Sequence, residues 1–199
     1  MYIKINGCQL FFDTYGSKLD IQKKSVEEKP TLLVLHGGPG IVDHTLYVDF
    51  WSQFSNIAQV IFLDQRGCGR SEKRTPAEWH LQQWADDAKK FCEVLNIAKP
   101  IIAGVSMGGH VMCDFITQYP SEAGGLIFCN TEAQFIVEEV CQAFGRLGGE
   151  LAESSARQYF TAPSPESAKN YQEHCGKHLI TRGFYTPEAL TRCKQNMAV

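Results

Sequence analysis

Several features that would point to other classes of protein are missing from these 199 residues. No apolar stretch approaches the ~20 residues that a membrane-spanning helix needs. The opening Met1-Tyr2-Ile3-Lys4-Ile5-Asn6-Gly7 has neither the basic start nor the apolar core of a signal peptide. No membrane partner is expected, and the compartment expected is the cytoplasm. Lysine and arginine never run beyond a pair: Lys23-Lys24, for example, is followed by Glu27-Glu28, and the net charge is -3. Nothing there would neutralise a phosphate backbone, so no nucleic-acid partner is expected either. None of the eight cysteines stands in a C-x-x-C pair, which removes the usual zinc and thiol-redox motifs. Cys129, inside the apolar run Leu126-Ile127-Phe128-Cys129, reads as a buried thiol of a reducing compartment. His174 and His178 are spaced to share a helix face, but no third ligand accompanies them, so neither a metal nor a cofactor is expected.

What remains is an ordinary globular composition, 44% hydrophobic and 21% charged, long enough for one domain with an appendage. Tyr2 to Ile5 and Cys8 to Tyr15 read as a hairpin turned at Asn6-Gly7. Residues 16 to 30 are polar and aperiodic, hence a loop. Thr31-Leu32-Leu33-Val34-Leu35 is continuously apolar, as a parallel strand covered on both faces must be. A helix from Leu46 to Phe54 precedes a second such strand, Gln59 to Leu63. Leu81, Trp84, Ala85, Ala88, Phe91, Cys92 and Leu95 form one helical stripe, with Thr75 as N-cap, Pro76 at the first position and Glu78 completing a capping box. Ile101 to Val105 is a third strand, feeding a helix from Met107 to Tyr119, and Gly125 to Asn130 is a fourth. Strand and helix alternate as in an α/β doubly wound, mostly parallel sheet. After Asn130 only helical patterns follow. The expected division is therefore a sheet-bearing core over residues 1–132 and a helical cap or lid over 133–199.

Three loops at strand ends carry the chemistry. Gly104-Val105-Ser106-Met107-Gly108 is a G-x-S-x-G elbow, with an apolar strand before it and a helical stripe after it, as a nucleophilic serine requires. Such a serine stands at a helix start, where the dipole favours developing negative charge. His36-Gly37-Gly38-Pro39-Gly40 follows the first central strand. Acyl transfer needs two N–H donors for an oxyanion; Met107, after the nucleophile, and Gly38, in this loop, are the candidates. His36, Gly37 and Pro39 are then expected in the loop that borders the substrate pocket. The third loop, Asp64-Gln65-Arg66-Gly67-Cys68-Gly69-Arg70-Ser71, is by itself only a polar turn at a strand end.

Taken in this order on these strands, the three loops resemble the α/β-hydrolases of the proline iminopeptidase type over roughly residues 1 to 130. The resemblance implies a serine hydrolase that releases an N-terminal proline through an acyl-enzyme. His44 fits the family's loop pattern, where that histidine is not the catalytic base. The family commonly has an aromatic residue after the nucleophile and a glycine before it; here Met107 and Val105 stand there. Family members hold the substrate's free amine with acidic cap residues, a part open to Glu166 and Glu173.

Along the chain, this fold places its triad in the order serine, acid, histidine. No aspartate follows Asp114, and the histidines beyond it are His174 and His178. Glu132, just past the fourth strand, is a candidate acid only in a minority arrangement of the triad. The acid and base are therefore expected beyond Val199, with the chain read as a fragment, a truncated gene model or a short form. The leading expectation is an aminopeptidase acting on a short peptide. A carboxylesterase or carbon–carbon hydrolase acting on a small molecule is the second, and a catalytically dead binding module is the third. Nothing in the sequence bears on oligomeric state.

Overall fold

Asn6 and Gly7 both take positive φ, 47° and 77°, which a two-residue type I′ turn needs. They join β1 (Tyr2–Ile5) to β2 (Cys8–Tyr15) with Ile5 opposite Cys8. The computed structural model describes residues 1–20, 26–38, 42–179 and 186–197. Within the stretch expected to be loop, Leu19–Asp20 (β3) pairs antiparallel with Glu27–Glu28 (β4) in a small separate ladder. Two-residue strands leave no periodicity to read, hence their invisibility in the sequence.

The main sheet runs β1-β2-β6-β5-β7-β8, with β5 at Thr31–Leu35, β6 at Gln59–Asp64, β7 at Ile101–Val105 and β8 at Gly125–Cys129. β2 lies antiparallel to β6, and the four later strands are mutually parallel. Every residue of β5 is buried, as its apolar run requires. Because β5 lies between β6 and β7, chain direction across the sheet reverses there, the place where such sheets form their crevices. Leu35 is in register with Gly104, so the loop after β5 emerges beside the turn after β7.

The expected helix over 46–54 is divided into α1 (Val48–Trp51) and short 3-10 turns at His44–Leu46 and Ser52–Asn56. The striped helix is α2 (Leu81–Val94), burying Trp84, Ala85, Ala88, Phe91 and Cys92. Its start differs from expectation. Pro76–Glu78 form one separate 3-10 turn, and the N-cap of α2 is His80, whose Nδ1 accepts the Gln83 N–H at 3.2 Å. Glu78 is engaged elsewhere, by the Arg66 guanidinium and the Thr75 hydroxyl. Arg66, itself buried, also grips Asp87 of α2 with Nε and Nη2 at 2.8 and 2.9 Å, a two-pronged charged bond that ties the loop after β6 to this helix. Next comes α3 (Met107–Gln118), packed with α2 on a core that includes Leu33, Leu35, Ile61, Leu63, Phe91, Met112 and Phe115.

The remaining helices are α4 (Val137–Gly148), α5 (Glu150–Thr161), α6 (Pro165–His174), α7 (Gly176–Leu179) and α8 (Pro187–Met197). Compact grouping gives one unit of Met1–Ala133 with Pro187–Val199, and a second of Gln134–Thr186. The expected helical segment over 133–199 thus loses its last helix to the first unit. In that unit, α8 docks through Arg192 on Asp49 at 2.9 Å and Asn196 on Asp43 at 2.6 Å, with Cys193 buried. The second unit has its own small core of Cys141, Phe144, Ala152, Ala156 and Cys175, and Tyr159 stacks on Tyr171 at 4.5 Å. All eight cysteines are thiols rather than disulfides. No helix among the described residues is long and apolar enough to cross a membrane.

Candidate active site

The turn from β7 into α3 forces Ser106 to φ 50° and ψ -119°, a conformation that L side chains rarely adopt. Close packing imposes it. A Cβ on Gly108 would run into the carbonyl of Leu35, so α3 can start only where β5 passes beneath a bare backbone. Ser106 is exposed, and among the described residues its hydroxyl makes no capping bond to the helix it opens. Met107, the first residue of α3, is partly buried, at the positive end of that helix.

The loop after β5 comes up against this serine. A Cβ on Gly37 would fall 3.0 Å from Ser106 Cβ and 3.1 Å from the Tyr47 phenol oxygen. Gly38 follows at φ 63°, open to glycine but strained for other residues. Pro39 and Gly40 lie outside the described residues. His36 is wholly buried, so it braces the loop from within and offers no nitrogen to a ligand. The Gln65 N–H donates to its Nε2 at 3.2 Å, leaving the proton on Nδ1, which donates to the Gly37 carbonyl at 2.8 Å. Burial holds this imidazole below the ordinary histidine pKa, despite Asp64 nearby.

His44 has the opposite character. Its Nδ1 lies 2.6 Å from Asp64 and its Nε2 3.3 Å from Asp13. Burial opposes the charge, but hydrogen bonds to Asp13 and Asp64 outweigh that and push its pKa up to about 9. Asp64 also accepts the His44 and Arg70 backbone N–H groups, and although burial works against it, its carboxyl is held below the usual range. Donor atoms of Asp43, His44 and Asp64 lie close enough together to suggest a metal cage. They are engaged with one another and with Thr45 and Asn196, which is the pattern of a buried ion pair.

The remaining candidates are scattered. Glu132 Oε1 lies 3.5 Å from Nε2 of His110, on the first turns of α3. His174 ends α6 and His178 belongs to α7 beyond a break at Cys175, so the pair does not share one continuous helix. Glu166 and Glu173 are exposed on α6 of the second unit. Tyr47 and Thr131 were not legible as site residues, since each reaches the elbow from a distant part of the chain. The only trace was Gly109, a second glycine beyond the elbow motif.

A family model described as alpha/beta hydrolase fold matches residues 30–162, which span the elbow and both flanking loops. The chain belongs to the α/β-hydrolase family. It is 26% identical over 197 residues to a proline iminopeptidase from Thermoplasma volcanium, covering 95% of this chain and 63% of that protein. Among solved structures it resembles a proline iminopeptidase from Mycobacterium smegmatis, with a TM-score of 0.71 and 20% identity over 100% of this chain and 67% of that one. It also resembles a thermophilic esterase from Thermogutta terrifontis, with a TM-score of 0.62 and 24% identity over 99% and 65% of the two chains. This α/β-hydrolase chain thus spans a little under two thirds of the T. volcanium relative's length.

Proposed function

We propose that the protein is a serine hydrolase with Ser106 as nucleophile, most closely allied in activity to the proline iminopeptidases. One observation carries this reading: a serine held at positive φ at the carboxyl end of a central parallel strand, exposed, and approached by the Gly37 backbone. Ser106 Oγ attacks the substrate carbonyl carbon as a base removes its proton. The oxyanion so formed accepts hydrogen bonds from the Met107 and Gly38 N–H groups. Collapse expels the amine, which takes the proton from the base, and water then releases the acyl group by the reverse sequence.

The base and its carboxylate are proposed to lie beyond Val199, following the serine–acid–histidine order of this fold. Of the four histidines in the first unit, His36 and His44 are committed to buried partners, His80 caps α2 and His110 lies 3.5 Å from Glu132. The cytoplasm is the proposed compartment, in keeping with eight thiols and no disulfide.

A second reading, a carboxylesterase, is favoured by Met107 and Val105 at positions where the peptidases commonly carry an aromatic residue and a glycine. Prolyl p-nitroanilide and p-nitrophenyl acetate separate the two, assayed on protein expressed with its complete reading frame. Faster turnover of the anilide supports the peptidase. Turnover of the ester alone transfers the assignment to the esterase, and turnover of neither removes both of these readings.

A further inference from the structure

A serine at positive φ with ψ near -119° is strained, and such a residue persists only where its surroundings over-determine it. The residues just after β8 supply much of that constraint. The Cys129 carbonyl accepts the Ser106 N–H at 3.0 Å, extending the β7–β8 ladder into the elbow itself. Asn130 then takes φ 48°, a conformation asparagine tolerates better than most residues, and turns the chain. As a result, the Thr131 hydroxyl donates to the Ser106 carbonyl at 2.8 Å. That same oxygen accepts the Gly109 N–H, also at 2.8 Å. The Thr131 side chain occupies the place where a Cβ on Gly109 would stand, so the extra glycine of the Met107-Gly108-Gly109 run is the socket for the threonine. One residue further on, Glu132 meets His110 and joins this segment to α3 a second time.

We propose that Thr131 is a positioning residue for the nucleophile. Its hydroxyl holds the Ser106 carbonyl, and with it the peptide linking Ser106 to Met107, in the orientation that stands Ser106 Oγ clear of the helix and sets the Met107 N–H. Gly109 exists to admit it. The proposal rests on Ser106 being the nucleophile, but its structural half can be read without any turnover.

The test compares Thr131→Val, which keeps the shape and removes the hydroxyl, with Thr131→Ser, which keeps the hydroxyl. The first readout is hydrogen exchange in peptides covering residues 104–110, where the Ser106 and Gly109 amides report the elbow. The second is kcat and KM on p-nitrophenyl acetate. In Thr131→Val the elbow amides exchange about tenfold faster and kcat falls about tenfold, the scale of one lost hydrogen bond, while KM stays near its original value. Thr131→Ser restores both. Unchanged elbow exchange in Thr131→Val overturns the proposal. So does a Thr131→Ser variant as impaired as Thr131→Val, which would make the methyl group the important part. If the elbow loosens as expected while Ser106→Ala keeps full activity, the clamp stands and the nucleophile assignment falls.

Discussion

His44 Nδ1 lies 2.6 Å from Asp64 Oδ1, with both side chains wholly buried. Two consequences for pH follow from this pair. The imidazole is held at about 9, above its ordinary 6.5, so its stabilising contribution is complete below about 6.5 and is lost as the pH rises through 9. Asp64 is held below its ordinary 3.8, so its contribution is present above that value and disappears as the solution is acidified past it. Urea midpoints measured from pH 3 to pH 10 should therefore form a plateau between these limits and decline on both sides. His44→Asn should abolish the alkaline decline in particular.

The same variant leaves Asp64 buried without its cation. A loss of about 3–5 kcal/mol is expected, the usual effect of breaking a buried pair by removing one partner. A denaturation curve for His44→Asn within about 1 kcal/mol of the parent would show that the pair contributes no more than an exposed ion pair does.

Arg66 makes a similar case one loop further on. Its guanidinium grips Asp87 of α2 and reaches Glu78, which is why that glutamate cannot close a capping box. Arg66→Met should cost about 3–5 kcal/mol by stranding Asp87 in the interior. Adding Asp87→Leu should recover much of that loss, since an apolar pair can replace a buried ionic one. Thermal melts of the single and double variants check both statements.

For the loop after β5, the sensitive position is Gly38, at φ 63°. Gly38→Val should strain the loop and displace an oxyanion donor, lowering kcat about a hundredfold while KM changes less. Equal loss in kcat and in the folded circular dichroism signal would mark the glycine as purely structural.

How much of this was legible in the sequence follows from the range of the interactions. The buried strands were plain because β5, β6 and β7 are apolar on both faces, and α2 because its stripe repeats over several turns. The elbow and the glycine loop were legible as local motifs on those strands. The start of α2 was misread because Thr75-Pro76-Ala77-Glu78 has good capping chemistry locally, whereas Glu78 is drawn to Arg66 by the tertiary fold. The return of α8 to the first unit depends on Arg192 and Asn196 meeting Asp49 and Asp43 across most of the chain, for which no spacing rule exists. Thr131 was invisible for the same reason, although Gly109 marked the space it fills.

The central claim is that Ser106 is the nucleophile, and covalent labelling tests it most directly. Protein expressed with its complete reading frame is treated with a fluorophosphonate, digested and mapped by mass spectrometry, alongside Ser106→Ala. The account predicts a single adduct on Ser106, absent from the alanine variant, with turnover lowered by several orders of magnitude in that variant. An adduct on another residue, or an alanine variant that keeps most of its activity, would contradict it.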